Sequence, residues 1–402
     1  MIKRKFKIGG VFILVVGSAF LSWNWRNESK HSFKIRFEEI VDFGFEAFAS
    51  NDWYNAEEIL SSLFDKRGNE LNLFRKMDRC RQLKARYLYG YLLFRRGNFK
   101  KSEMVWRPIF ANLKTMDEFA STGDPQRKVM SFYLRDLIEL KKTQEILRIF
   151  NLCYDGNGNP SEIFRKFGDT ALIRSMAGKT FFQNAEYKKV SVVLKAFFEN
   201  PEMFTELNDQ QKALVRWNYG KSLVCEEKSG DIKGKRYITE KSIGPAEESA
   251  NYCDKKDDSD EGNLAKNDKA LAALSPFFDK NMKATKLFRE LSEEDQVACR
   301  TTYAQLLLKS NDYEKILQLL SVFFDENGQI SPQPKNPSEE AIIRNIYGYS
   351  LCRCGKYEQA KKIWSRFFEE SDKEFTENLG SDEIDLLKAL RKNIHRLSAN
   401  NR

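Results

Sequence analysis

The chain has 402 residues, 41% of them hydrophobic and 31% charged, with a formal net charge of +9. That length and apolar content exclude a purely solvated chain and leave room for a large core or an extended array. The charge is spread throughout, with no concentrated basic stretch and no nucleic-acid signature, so nucleic acid is not an expected partner.

Taken in order, the chain opens on Lys3, Arg4, Lys5 and Lys7, followed by the apolar run Ile8–Trp23. A charged stretch before an apolar one is the layout of an export signal. Continued to Trp25 as a helix, it would be about 27 Å long at ~1.5 Å per residue, enough to cross a hydrocarbon core. Trp23 and Trp25 stand at the level of a membrane interface, and Arg26 ends the run. We therefore expect residues 1–26 to be a signal anchor, with 8–25 in the membrane and 27–36 as a linker. A cleaved signal using Gly17-Ser18-Ala19, or a buried helix, are the alternatives. The positive flank keeps the N-terminus cytoplasmic and places the remainder in the periplasm or outside the cell. The reverse insertion would leave a scaffold facing the cytoplasm.

From Phe37 onward one helix–turn–helix text recurs. Its clearest copy has Gly348 in a first helix, a turn at Gly355-Lys356 and Ala360 in a second helix, with Leu351, Tyr357, Trp364 and Phe367 around them. Gly44 and Ala56 hold the same twelve-residue spacing around Ser50-Asn51-Asp52, and Gly90 and Ser102 hold it around Gly97-Asn98. Leu134 and Ile146 occupy these positions in a degenerate copy that Asp124-Pro125 would start, Pro being harmless at a first helical position. Gly178 and Val190 make the next. Asn208 and Gln211 read as a capping box opening a helix through Gly220. Glu226 to about Lys266 then turns polar and charged, and we expect it (227–266) to be a disordered insertion, with the second helix resuming at Asn267. Ala304 and Ile316 flank an Asn311-Asp312 turn. The anchor steps are 46, 44, 44, 42, 84 and 44, and removing about 38 inserted residues brings 84 into line. The second helices end on Phe-Phe-acid: Phe197-Phe198-Glu199, Phe277-Phe278-Asp279, Phe323-Phe324-Asp325 and Phe367-Phe368-Glu369. Ser381–Leu397 is amphipathic, with Ile384, Leu387, Leu390 and Ile394 on one face, which suits a terminal cap.

The small–large pattern across a helix–turn–helix resembles the tetratricopeptide repeat, over about 37–398. The resemblance implies an all-α fold: a right-handed α-solenoid of about seven pairs with a capping helix. The period near 44 exceeds the family's roughly 34 residues, so the extra length falls after the second helix. It also leaves room for a related helical-pair repeat.

Catalytic chemistry is sparse. The two histidines, His31 and His395, lie near no nucleophile or ligand set. The seven cysteines have no regular spacing, and Cys153, Cys225, Cys299 and Cys352 fall at helical positions where thiols act as small hydrophobes. Cys352-Arg-Cys354 has no further ligands beside it. Asp155-Gly-Asn157-Gly-Asn159 starts like a calcium loop, but Pro160 and Lys166 replace the needed Gly and Glu, so a turn-rich loop is the reading. Glu293-Glu294 after Ser292, and Glu339-Glu340 after Ser338, read as helix N-terminal acids. No active site, cofactor or metal is expected.

Binding is the expectation instead. In the family that the repeat resembles, first helices line a concave face. Carried onto this chain, those positions include Lys84, Tyr87, Tyr91, Phe94 and Arg95, then Lys128 and Arg135, then Lys179 and Phe182. Trp217 and Lys221 follow, with Gln305 and Lys309, and finally Asn345, Tyr349 and Arg353. This set is basic and aromatic with almost no acid, Glu38 and Glu139 excepted, which would suit an acidic peptide or a C-terminal carboxylate. The expectation is a membrane-tethered protein-interaction scaffold of a bacterial envelope. The alternative is a non-catalytic regulatory or adaptor subunit of an enzyme or secretion complex.

Overall fold

The computed structural model describes residues 41–121, 128–167, 170–230, 259–331 and 337–365. The anchor and linker, Asp124-Pro125, residues 231–258 of the insertion, Phe367-Phe368-Glu369, Ser381–Leu397 and both histidines lie outside them. The described residues are all-helical, with isolated bridges but no strand, which is compatible with an α-solenoid. No described helix is long and apolar enough to cross a membrane.

The described residues fall into two units, 41–152 with 162–167 and 153–161 with 170 onward. The first unit contains α1 (41–49), α2 (Trp53–Ser61), α3 (Asn72–Arg75), α4 (Arg79–Arg95), α5 (Phe99–Trp106), α6 (Leu113–Ala120), α7 (Val129–Glu139), most of α8 (Thr143–Cys153) and α9 (Glu162–Phe167). The second contains α10 (Ala171–Gln183), α11 (Tyr187–Glu199), α12 (Asp209–Gly230), α13 (Ser259–Leu274), α14 (Lys286–Arg289), α15 (Glu293–Lys309), α16 (Tyr313–Leu320), α17 (Pro337–Arg353) and α18 (Tyr357–Ser365).

The turns inside the pairs follow the sequence reading. Asn51, Asn311, Gly97 and Gly355 take φ of 59°, 59°, 73° and 75°, the left-handed conformation that Gly and Asn tolerate best. The next residue then caps the second helix: Asp52, Asn98 and Asp312 accept from the backbone N–H three residues on. The capping box at α12 is formed in both directions. Gln211 Oε1 accepts from the Asn208 N–H at 3.0 Å, and Asn208 Oδ1 from the Gln211 N–H at 2.9 Å.

Packing within the pairs depends on the small residue. A Cβ on Gly90 would stand 2.2 Å from Trp106 Nε1, and one on Gly348 2.3 Å from Trp364 Nε1. On Gly178 and Gly220 it would meet Leu194 and Leu274 at 2.4 and 2.7 Å. Each partner lies sixteen residues on, once 38 inserted residues are taken from the Gly220–Leu274 interval. Gly220 thus packs on Leu274 across the intervening segment, and the two helices run further than expected. α12 continues to Gly230 and α13 begins at Ser259, not Asn267. At the edges of the stretch read as disordered, Lys266 Nζ pairs with Glu226 Oε2 at 3.1 Å across the two helices.

At four of the connections between pairs the extra length is a small closed loop; after α5 it is the helix α6, and after α11 a 3-10 turn at Pro201–Glu206. Phe64, Tyr154, Phe278 and Phe324 each form an antiparallel bridge six residues on, to Glu70, Pro160, Ala284 and Ile330. The following aspartate closes each loop by accepting two backbone N–H groups: Asp65 from Arg67 and Asn69, and Asp155 from Asn157 and Asn159, all at 2.8 Å. Asp279 and Asp325 do the same at 2.8–2.9 Å. The Asn69 side-chain amide, with the loop's backbone groups, holds the Asp65 carboxyl below the usual range, and the Asn159 backbone N–H, with the Asn159 side chain adding, does so for Asp155. The turn-rich reading of 155–159 therefore describes a loop whose carboxylate is occupied by its own backbone.

Two outcomes follow. Gly348→Leu forces a side chain into Trp364 and should cost about 3 kcal/mol. Gly355→Ala, with nothing within 4 Å of its Cβ, should cost only about 1 kcal/mol for the left-handed φ. Urea unfolding of both variants measures the difference. Deleting 231–258 should leave unfolding cooperative with an unchanged midpoint, whereas deleting 226–266 removes the Glu226–Lys266 pair and should lower it.

Candidate partner-binding faces

In the first unit, Lys84, Arg95, Lys128 and Arg135 are exposed, and Tyr91 is half-buried. Their surroundings are rings. Lys84 Nζ lies 4.4 Å from the Phe45 centroid, the Arg95 guanidinium 4.7 Å from Trp53, and that of Arg135 5.5 Å from Phe94. Tyr91 joins these into a strip, with its centroid 5.7 Å from Phe48, 6.2 Å from Trp53 and 5.2 Å from Phe132. Phe132 in turn lies 5.0 Å from Phe94. Cations over aromatic faces gain about 0.5–1 kcal/mol at exposed sites, with their N–H edges still pointing outward. None of Lys84, Arg95 and Arg135 has a carboxylate partner among the described residues. Arg79, Arg81, Arg96 and Arg107 of the same unit do have one: Glu118, Asp42, Glu57 and Glu103 at 2.8–2.9 Å.

Tyr87 does not belong to this face. It is 8% exposed, and burial pushes its phenol up. Its carbonyl accepts from Trp106 Nε1 at 3.3 Å, so it is part of the packing around Gly90.

In the second unit the equivalent positions are more occupied. Lys179 is exposed, but Lys221 Nζ donates to Thr302 Oγ1 at 3.1 Å and Lys309 Nζ to Asn267 Oδ1 at 3.2 Å. Trp217, 6.4 Å from Phe182, donates from Nε1 to Asp295 Oδ1 at 3.0 Å. Glu339 is near enough to Lys221 and Glu294 to feel both. Burial, with Glu294 adding, raises its carboxyl above the usual range against the pull of Lys221. The nearly acid-free face expected from sequence therefore does not hold here, because Asp295, Glu294 and Glu339 enter it from α15 and α17. Further on, Tyr349 lies 6.0 Å from Tyr313, and Arg353 covers Tyr313 at 5.2 Å. Asn345 and Gln305 are half-buried. Glu339 and Glu340 stand in the first turn of α17, as expected of helix N-terminal acids; Glu340 is in addition buried, 3% exposed, and accepts from Arg344 Nε at 2.7 Å.

A row of arginines was missed by sequence reasoning. Four residues before the small residue stand Arg86, Arg174, Arg216, Arg300 and Arg344. Four of them donate from Nη1 to a carbonyl nineteen residues on: Val105 at 2.8 Å, and Val193, Leu319 and Ile363 at 3.1 Å. The Val105, Leu319 and Ile363 carbonyls lie in the last turn of their second helices, where intrahelical partners run out, whereas Val193 lies mid-helix. The guanidiniums also stack on rings from the segment between pairs. Arg86 lies 4.7 Å from Phe74, Arg300 4.7 Å from Phe288, Arg216 4.5 Å from Phe204, and Arg344 5.7 Å from Phe324. The fixed spacing to the small residue was the signal that could have revealed them.

The described cysteines are free thiols. Burial pushes Cys153 up to about 12 and Cys352 up to about 11, so neither is a thiolate near neutrality. No group of three or more His, Cys, Asp or Glu among the described residues could hold a metal ion. Compared with models of known families, with curated proteins and with solved structures, the chain matches none.

The two kinds of arginine should behave differently. Arg300→Met removes the bond to the Leu319 carbonyl and should destabilise by about 1–3 kcal/mol. Arg300→Lys should also destabilise, because an ammonium cannot both stack and fork. Arg353→Met, at an exposed residue, should stay within about 0.5 kcal/mol. Urea midpoints at constant m-value give the comparison.

Proposed function

We propose that the chain is a membrane-tethered protein-interaction scaffold, a right-handed α-solenoid of about seven tetratricopeptide-like pairs. In this reading residues 8–25 anchor it and the remainder faces the periplasm or cell exterior of a bacterium, with Ser381–Leu397 capping the last pair. It binds rather than catalyses. The observation that carries the reading is the cation–aromatic strip of the first unit. Lys84, Arg95 and Arg135 lie on rings without a carboxylate partner, while neighbouring arginines are paired. Such cations are oriented before a ligand arrives and offer planar N–H edges, which lowers the ordering cost of holding a carboxylate. The partner that fits is a protein segment rich in Asp or Glu. In the second unit Lys221 and Lys309 already donate to a hydroxyl and an amide, so the first unit is the place assigned to the acidic segment.

The test is crosslinking and capture with the full anchored chain. It is compared with a variant carrying Lys84→Glu, Arg95→Glu, Lys128→Glu and Arg135→Glu, and with one carrying Lys179→Glu and Arg353→Glu. A partner lost in the first variant and retained in the second is the expected result, with capture weakening as salt is raised. Retention in the first variant would overturn the assignment of the face. Capture of no partner by the unmodified chain would overturn the scaffold itself.

A further inference from the structure

Beneath the strip, the packing of α7 on α5 contains a carboxylate with no counter-charge. Asp136 is 0% exposed, and neither of its oxygens accepts a hydrogen bond. The Ser102 hydroxyl stands beside it but donates to the Gly90 carbonyl at 3.0 Å. Across the interface, α5 presents Glu103, itself 1% exposed and held by Arg107 at 2.8 Å and Lys142 at 3.0 Å. Those two cations are therefore committed to Glu103. On α8, Glu145 and Arg148 pair with each other at 2.6 Å. On α7 itself, Tyr133 lies one turn earlier with its buried hydroxyl also unpartnered, and Glu139 adds a further negative charge. From α4, Tyr91 and Phe94 contribute rings to Phe132, while Arg95 stays on Trp53.

A buried ionised carboxylate with no donor and a second carboxylate facing it is strongly unfavourable, and a protonated one is not. We propose that the α5–α7 packing is a proton-dependent joint: closed while Asp136 carries a proton, loosened when it is ionised, so that Phe132 and Arg135 shift with pH. The joint stands on the buried geometry alone. Only its consequence for binding rests on the reading of the face above it.

Burial, with Glu103 and Glu139 adding, pushes the Asp136 carboxyl up to about 7. In an opened joint the carboxyl is hydrated and titrates near its ordinary value of about 3.9. Between those two values the open form releases a proton that the closed form retains. Opening therefore becomes easier by about tenfold per pH unit as pH rises toward 7, and levels off above it.

The experiment is amide hydrogen exchange of the full chain in detergent micelles from pH 5 to 8.5, corrected for chemical exchange. Segments 99–106 and 129–139 are followed. Protection in both is expected to fall by about tenfold per unit up to the plateau in the unmodified chain. It should be independent of pH in Asp136→Asn, and in Asp136→Leu, which is equally uncharged. The Leu variant keeps the test open should the Asn variant misfold. PH-independent protection in the unmodified chain would overturn the proposal, and so would the same pH response in either variant. Failure to capture an acidic partner bears on the face and leaves this result untouched.

Discussion

The interaction on which the rest depends is the guanidinium that stands four residues before the small residue in five of the seven pairs read from the sequence, at Arg86, Arg174, Arg216, Arg300 and Arg344. Moving such a group out of water is costly unless its donors find acceptors and its plane finds a surface. Burial lowers the pKa of Arg86, Arg216 and Arg300, which registers that cost in each unit. Arg86 and Arg300 meet both conditions, one Nη1 on a second-helix carbonyl and the plane over the phenylalanines of the preceding loop. One side chain thus joins three pieces: its own helix, the helix it is paired with, and the loop arriving from the pair before. The geometry suits Arg and not Lys, since it needs a fork and a stacking plane at once.

That bond also accounts for the long period. The roughly ten residues beyond a standard repeat are not slack between helices. At three connections they form the aspartate-closed loop, which sets Phe64, Phe278 or Phe324 from the end of one pair under the arginine of the next. Met282 shows how firmly the loop is specified. It takes φ of 59° where Gly68, Gly158 and Gly328 take 92°, 88° and 73°. A non-glycine residue there carries a steric cost that the closed loop overrides.

The helical pairs were legible because they rest on local rules. A small residue, a left-handed turn residue, a cap and a large residue at sixteen each leave a mark at fixed spacing. The loops were half legible. Their Phe-Phe-acid entry was visible at Phe278 and Phe324 but not at Phe64 and Tyr154, and the closing pattern mixes Gly with Met and Pro with Ala and Ile, so the eye finds no motif. The arginine row was hidden differently. Its spacing is regular, but buried arginine is rare enough that a periodic Arg reads as a solvated face. For the candidate faces, first-helix positions located the exposed cations well. What they could not supply were the neighbours from other helices. These buried Tyr87, placed Asp295 on Trp217 and gave Lys221 to Thr302.

Those neighbours separate two faces built from equivalent positions. Where a cation rests on a ring, the attraction is to a quadrupole, which leaves its full positive charge available to an incoming anion. Where it donates to a hydroxyl or an amide, or lies beside a carboxylate, part of its hydrogen-bonding capacity is already committed. A ligand must then displace that partner or accept a weaker field. The first unit has the former arrangement at Lys84, Arg95 and Arg135, and the second the latter at Lys309 and at Lys221, which lies 5.7 Å from the Trp217 ring but also donates to Thr302. Arg353, on Tyr313, is of the first kind within the second unit. Affinity for acids should therefore follow the ring beneath each cation.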